Sequence, residues 1–223
     1  MGIPDPASQP EPPPGRVTIA RQDRPLGALE VPMRFRARSL TIAVLALAVA
    51  TAPAWARKYP GIDVEFPETI TVEGDTLKLN GLGLREATML KVDVYVAGLY
   101  VANPSKEAAA LLAAGGPKAI HLHFVRKVGG ADMVKAWTEG FAKNGAPTEM
   151  KPRLDKLNGW MKDVDAGSTL RFTWLKDGST KVEADGKELG RIEGEDFSRM
   201  LYTVFLGPNP PNPGLKTGLL GGA

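Results

Sequence analysis

Apolar and polar residues alternate with a period of two in several short segments of the chain, and this pattern predicts β-strands. Residues 69–72 and 77–79 flank the turn sequence Glu73-Gly74-Asp75 and predict a hairpin. The other predicted strands cover 89–101, 119–127, 169–175, 181–184 and 188–192. The last three form a predicted meander, because Asp-Gly pairs suit the tight turns between them.

Other segments repeat apolar residues every three or four positions, which predicts helices with one apolar face. These segments cover 106–112, 132–144, 150–162 and 195–206. We expect Ser105 to cap the first helix, since its hydroxyl can accept a hydrogen bond from an unpaired N–H. Asn144-Gly145 and Gly207-Pro208 are stop signals, and a proline-rich linker at 208–213 precedes a last turn at 215–220.

Strands gathered before and after a helical middle indicate the fold class. They predict an α+β fold in which a large antiparallel β-sheet carries a helical layer packed on one face. Residues 57–223 are expected to form this domain, because their number suits one hydrophobic core.

A targeting segment is predicted ahead of that domain. Arg34, Arg36 and Arg38 precede a short apolar run at 40–49 and the small-residue site Ala54-Trp55-Ala56. This order is typical of a signal peptide, here 33–56, that is cleaved after Ala56. We therefore expect a periplasmic or secreted protein without a stable membrane span, and an uncleaved anchor is the alternative.

Residues 1–32 show no apolar periodicity and are rich in proline, including the run Pro12-Pro13-Pro14. Such a segment cannot bury enough apolar surface to become ordered. It is either a disordered extension or a mis-assigned start, since a signal peptide that begins at Met33 lies close to its initiator.

Charge and cysteine content narrow the function classes. The formal net charge of the chain is +3, and six arginines and four acidic residues lie in the first 56 positions, so the mature chain is nearly neutral. A clustered basic surface for nucleic acid is therefore not expected. The absence of cysteine excludes disulfides and thiolate zinc sites.

Small motifs give no sign of a cofactor. Gly81-x-Gly83 lacks the third glycine of a nucleotide loop, and we interpret it as a tight turn that presents Arg85. His121 and His123 share one face of a predicted strand, but a solvated face is favoured over a metal site because a third ligand is missing. Lys135 and Glu139 are interpreted as a surface ion pair. We expect no cofactor and no metal.

Five stretches, in this order, resemble the chalcone-isomerase-like family: LNGLGLR at 79–85, KVDVYVAGLY at 91–100, AWTEGF at 136–141, GRIEGEDF at 190–197, and FLG at 205–207 with LK at 215–216. The family includes plant enzymes that close a chalcone into a flavanone and fatty-acid-binding relatives without that activity. The resemblance implies a large antiparallel sheet, a helical layer and a ligand cleft between them, and it implies the fold more firmly than the function.

The resemblance also implies four ligand-binding residues. Arg85 matches the arginine that meets a substrate phenolate in the enzymes and a carboxylate in the fatty-acid binders. Tyr95 stands where the binders carry a tyrosine and the enzymes a threonine. Lys135 matches a lysine of the enzymes, and Thr203 a late threonine, with a register that is ambiguous by one residue.

Two positions depart from the enzyme pattern, because Asp132 and Glu139 replace its tyrosine and asparagine. We therefore expect a non-catalytic protein that binds an anionic, largely apolar small molecule such as a fatty acid. The alternatives are an intramolecular lyase that closes a chalcone-like conjugated ketone, and a partner-binding module with a vestigial cleft.

Overall fold

The computed structural model describes residues 55–87 and 91–222. The predicted extension at 1–32 and most of the predicted signal peptide lie outside the described residues. Within the described part, no helix has the length and apolar character needed to span a bilayer.

A curled sheet of seven antiparallel strands is the centre of the fold, and its spatial order follows the sequence. Its strands are β3 (Thr69–Val72), β4 (Asp75–Ala87), β5 (Val92–Val101), β6 (Lys118–Phe124), β7 (Thr169–Trp174), β8 (Thr180–Ala184) and β9 (Lys187–Ile192). Two shorter strands, β1 (Ala56–Lys58) and β2 (Glu65–Pro67), pair with each other ahead of it. The predicted hairpin and the predicted meander are both confirmed.

Five α-helices lie in the described residues: α1 (Ala108–Ala113), α2 (Gly130–Lys143), α3 (Lys151–Gly159), α4 (Glu195–Leu206) and α5 (Pro213–Leu219). A 3₁₀ turn, Thr148–Met150, precedes α3, so the helix predicted for 150–162 begins as a tighter turn and ends earlier. Ser105 does accept the Glu107 N–H at 3.0 Å, but α1 begins only at Ala108, so Ser105 does not cap it.

The main hydrophobic core fills the space between the sheet and the helices. The strands contribute alternate residues such as Ile120, Leu122 and Phe172, and α4 contributes Phe197, Leu201 and Phe205, all of them buried. A period of two on the strands and of about 3.6 on the helices brings these side chains to one layer. The predicted α+β fold with helices on one face is therefore confirmed.

The opposite face of the sheet is covered by the segment that contains β1 and β2. Phe66 of that segment is buried and packs edge-on against His121, with ring centroids 5.5 Å apart. The Tyr100 hydroxyl donates a hydrogen bond to the Pro67 carbonyl at 3.0 Å. These contacts close a second, smaller apolar core on this face.

The prediction that His121 lies on a solvated strand face is therefore wrong. Burial under the covering segment lowers the pKa of His121 to about 4, and the charges of Arg171 and His123 act in the same direction. Within the described residues, no group of three or more His, Asp or Glu side chains is arranged to hold a metal ion.

The glycines near Arg85 have a different role from the predicted tight turn. Gly81 and Gly83 lie inside β4, where the backbone of α5 passes directly over them. A Cβ atom on Gly83 would lie 2.2 Å from the Leu215 carbonyl oxygen, and one on Gly81 would lie 2.1 Å from that of Gly218. Glycine is required because two backbones approach closely.

A β-bulge at Asn80 sets which side chains of β4 face the helices. Leu79 pairs with Tyr100 and Gly81 with Leu99, so Asn80 is an extra residue. Its side-chain amide nitrogen donates to the carbonyls of Ser105 and Leu219 at 3.1 and 2.7 Å. Two carbonyl groups outside the sheet thereby gain hydrogen-bond partners. Beyond the bulge, Gly83 and Arg85 face the helical layer.

Candidate functional site

A pocket of about 580 Å³ opens between the helical face of the sheet, α2 and the loop after α4. Its size is typical of small-molecule sites. The inner wall is mostly apolar and is formed by Val94, Leu122, Phe124, Met133, Trp137, Leu170, Val204 and Phe205. Two polar side chains that the sequence singled out, Arg85 and Tyr95, also line it.

Arg85 and Tyr95 are direct cross-strand partners on β4 and β5. Directly opposite residues of an antiparallel pair project from the same face of the sheet. A second register shift follows Arg85, and it leaves Val94 beside Tyr95 in the pocket wall. The strands therefore bring the predicted pair together at one end of the pocket.

The Arg85 guanidinium is anchored through one of its nitrogens. Nη1 donates to the Pro211 carbonyl at 2.8 Å and to the Glu86 carbonyl. Nε and Nη2 make no hydrogen bond to a described residue. A guanidinium keeps its charge and presents its donors as a fork, so the remaining N–H groups suit a carboxylate or another oxyanion.

Tyr95 presents an uncharged phenol to the same pocket. Its ring packs edge-on against Phe124, with centroids 5.6 Å apart. Burial raises the pKa of the Tyr95 hydroxyl above its ordinary range, and the nearby Arg85 charge offsets only part of this effect. The hydroxyl therefore stays protonated and can donate a hydrogen bond.

Trp137 of α2 lies at the centre of the apolar wall. Its ring is 5.0 Å from that of Phe172 and 5.8 Å from that of Phe205, both in edge-on geometry. The sequence predicted it as a core residue, and its burial confirms this prediction. The same ring also forms part of the pocket surface, a role that helical periodicity alone does not indicate.

The loop beside Arg85 is fixed by asparagines that no motif in the sequence indicates as site residues. Asn144 at the end of α2 donates to the Asn209 carbonyl at 3.0 Å, and Asn209 donates to the Lys143 carbonyl at 2.8 Å. Asn212 donates to the Leu84 carbonyl at 3.1 Å. These bonds hold Pro211, and with it the anchored guanidinium, in place. The sequence indicates Asn144 only as the end of a helix, and Asn209 and Asn212 lie in the predicted linker without a motif that marks them.

The outer turns of α2 line the pocket mouth with charged residues. Asp132, Lys135 and Glu139 all line it, so the three positions matched to enzyme residues do lie together. The predicted ion pair between Lys135 and Glu139 is wrong, because Glu139 pairs with Lys143 at 3.0 Å instead. The hydrogen bond from Lys143 lowers the pKa of Glu139.

Thr203 lies outside the pocket, in contrast to the other three predicted ligand-binding residues. Its hydroxyl donates to the Arg199 carbonyl at 2.8 Å, one turn earlier on α4. The next two residues, Val204 and Phe205, line the pocket instead. Neighbouring helical residues point about 100° apart, so the ambiguity of one residue in the sequence register decided this outcome.

In chemical terms, the pocket is an apolar chamber with the Arg85 guanidinium and the Tyr95 phenol at one end. It can hold an apolar body and an anionic head group at the same time. Its polar lining groups include the donors of Arg85 and Tyr95 at that end and the charged side chains of α2 at the mouth.

Comparison with known proteins agrees with this architecture. The family model described as chalcone isomerase-like matches residues 61–221. The crystal structure of a fatty-acid binding protein from Arabidopsis thaliana is similar, with a TM-score of 0.61 and 19% sequence identity over 74% of this chain and 96% of the plant chain. A search of curated proteins found no match.

Proposed function

This chain belongs to the chalcone isomerase-like family, and on that premise we propose that it binds a small anionic molecule with an apolar body, of the fatty-acid type. The observation that carries the proposal is the Arg85–Tyr95 pair at one end of an apolar chamber. The similar plant structure is titled a fatty-acid binding protein, which supports the same class of ligand.

Binding follows from the division of the pocket into two regions. Arg85 donates through Nε and Nη2 to a carboxylate, and the Tyr95 hydroxyl supplies another donor to the same group. The alkyl chain then lies against Trp137, Phe205 and their apolar neighbours. Burying that chain provides most of the affinity, and the polar pair fixes its direction.

The alternative of ring closure on a chalcone-like ketone has less support from the geometry. That reaction develops negative charge on the substrate, which positively charged or neutral donors stabilise. The positions that resemble the enzyme tyrosine and asparagine hold the carboxylate residues Asp132 and Glu139, and both line the mouth. We expect flavanone formation no faster than the spontaneous reaction.

The proposal is tested by calorimetry with dodecanoic acid and by native mass spectrometry of the gently purified protein. Arg85→Ala is expected to weaken binding at least tenfold, because charge-assisted hydrogen bonds are lost. Arg85→Lys keeps the charge without the fork and should bind at an intermediate level. Circular dichroism reports whether each variant is folded.

Arg191→Ala is the matched control, since Arg191 is partly exposed and pairs with Glu188 away from the pocket. It should bind dodecanoic acid as the parent does. A parent protein that carries no lipid and binds no fatty acid contradicts the proposal. Equal affinity in the parent and in folded Arg85→Ala contradicts the role of Arg85.

We also propose that the protein is exported, on the basis of the signal-peptide pattern at 33–56. The folded domain is compatible with cleavage after Ala56, because the buried hydrophobic residues of the described part of the chain begin at Val64. In that location the ligand is an amphiphile outside the cytoplasm.

A further inference from the structure

Positive charge is concentrated at the mouth of the pocket. Four cationic residues line the mouth, namely Arg126, Lys127, Lys135 and Lys143, against the two carboxylates of Asp132 and Glu139. All six are exposed. The chain after residue 56 is almost neutral, so this local excess is not a reflection of overall composition.

Three of these cations are not neutralised by an ion pair. Lys143 pairs with Glu139 at 3.0 Å, whereas Arg126, Lys127 and Lys135 have no carboxylate within ion-pair distance among the described residues. Many other cations do have such partners, including Arg153 with Asp196 at 2.6 Å and Lys151 with Asp155 at 2.6 Å. Asp132 lies in the first turn of α2, where the helix dipole favours its charge.

The remaining surface of the mouth is apolar. Val128 and Pro210 are half-buried there and Ala136 is exposed. Behind them the pocket leads to Trp137 and the apolar wall. A molecule that enters therefore passes a ring of positive charge and then meets apolar side chains. An anionic lipid leaflet presents negative head groups with apolar tails beneath them, so the two charged layers are complementary when the mouth faces the leaflet.

We propose that the mouth of the pocket docks on an anionic lipid surface, from which the ligand is loaded or to which it is delivered. This proposal rests on the proposed function, since it assigns a source to the same ligand. Lipid is favoured over an acidic protein because the cations surround an opening into an apolar chamber and do not cover a closed surface. Each lysine or arginine near an anionic leaflet adds to the attraction, and salt screens it.

The test is sedimentation with vesicles of phosphatidylglycerol or of phosphatidylcholine, with the protein recovered from an exporting host. We expect binding to phosphatidylglycerol that weakens with added salt, and little binding to phosphatidylcholine. Arg126→Gln with Lys127→Gln should lower binding roughly tenfold or more. The control pair Lys106→Gln with Lys187→Gln removes two exposed cations that do not line the pocket, and it should bind as the parent does.

Absence of binding to phosphatidylglycerol, equal binding to both lipids, or an equal loss in both double variants overturns the proposal. Should the Arg126–Lys127 double variant fail to fold, the single variants decide, each with an expected loss of roughly fivefold. Dodecanoate affinity is measured for every protein without vesicles. Fatty-acid binding without vesicle docking contradicts this inference alone, and absence of both contradicts the proposed function as well.

Discussion

Arg85 is placed by its neighbours on two sides. Its strand partner Tyr95 lies directly opposite, and the Pro211 carbonyl accepts a hydrogen bond from Nη1 at 2.8 Å. One side of the guanidinium is thereby occupied by the protein. The other side remains directed to the pocket, and this preorganisation lowers the entropy that a ligand loses on binding.

Removal of the Tyr95 hydroxyl separates its polar role from its packing role. Tyr95→Phe keeps the ring against Phe124 but removes the donor. We expect dodecanoic acid affinity to fall roughly tenfold, about 1.4 kcal/mol, with the free energy of unfolding nearly unchanged. Calorimetry and urea unfolding measure the two quantities. The control Tyr59→Phe lies outside the pocket, and a similar loss there would argue against a ligand contact by Tyr95.

His121 makes stability depend on pH. Its pKa is about 4 in the folded protein and near 6.5 when the chain is unfolded, so the unfolded state binds more protons between these values. Stability is therefore lost as pH falls from about 6.5 to 4, by about 1 to 3 kcal/mol from this residue.

The variant His121→Gln should flatten that part of the curve of unfolding free energy against pH. His123→Gln, on the same face of β6, is the comparison variant and should keep most of the parent slope, because burial is the first cause of the lowered pKa of His121 and the His123 charge the last. Parallel curves for the parent and His121→Gln would show that His121 does not cause the dependence. Urea unfolding at half-unit pH intervals gives the measurement.

At the scale of elements, β4 and α5 form one unit that supports the site. Gly81 and Gly83 let the helix backbone lie directly on the strand, and Asn212 ahead of α5 bonds to the Leu84 carbonyl. The loop that holds Arg85 is thus joined to the strand that carries it. A change in the packing of α5 is expected to reach the pocket through this connection.

Gly83→Ala tests the connection. The new Cβ would lie 2.2 Å from the Leu215 carbonyl oxygen. Because the backbone of β4 fixes the Cβ and the carbonyl belongs to the backbone of α5, α5 must move. We expect a loss of about 1 to 3 kcal/mol in the free energy of unfolding and weaker ligand binding. Gly159→Ala is the control, since a Cβ there meets no atom within 4 Å. Gly83→Ala with unchanged stability and affinity would contradict this account.

The sequence predicted most elements because their signals are local. Periodicity located the strands and helices, and α4 has the predicted bounds of 195–206. Close packing between distant segments has no local signal, which is why Gly81 and Gly83 were interpreted as a turn. The same reason applies to Phe66, whose segment covers His121 from 55 positions away in the chain.

The residues of the pocket also divide into those that the sequence indicates and those that depend on contacts between distant segments. Arg85, Tyr95 and Lys135 line the pocket as the resemblance implied, although ligand contact by them stays a prediction. Thr203 does not line the pocket, because successive residues of a helix point in different directions and Val204 and Phe205 take the positions that face it. The hydrogen bond from Asn144 to the Asn209 carbonyl joins positions 65 residues apart, and a single sequence does not reveal such a contact.

At the scale of the whole molecule, the sheet separates two unequal cores. The larger core carries the pocket and the helices, and the smaller one depends on the covering segment with Phe66. Cleavage after Ala56 would remove Trp55, whose side chain is 75% exposed. It would also remove the Trp55 carbonyl that accepts the Glu68 N–H at 2.7 Å, a small loss beside the retained cores.

Export is tested by the mass of the protein recovered from an exporting host. We expect an N-terminus at Arg57. Ala54→Phe places a bulky side chain where the cleavage site needs a small one, and it should block processing. Trp55→Phe changes the tolerant middle position and should be processed normally. A recovered chain that keeps residues 33–56 would contradict the predicted cleavage and favour the uncleaved anchor.

The bulge at Asn80 has a consequence for how this site can change over generations. Leu79 and Gly81 already face opposite sides of the sheet, so deleting the Asn80 codon would restore strict alternation along β4 with every other side chain on its present face. Arg85 would keep its place in the chamber, and the cost would be the two hydrogen bonds that the Asn80 amide donates. A relative that is one residue shorter at this point of the strand can therefore retain the anion site. A gap at position 80 in an alignment is no sign that the site has been lost.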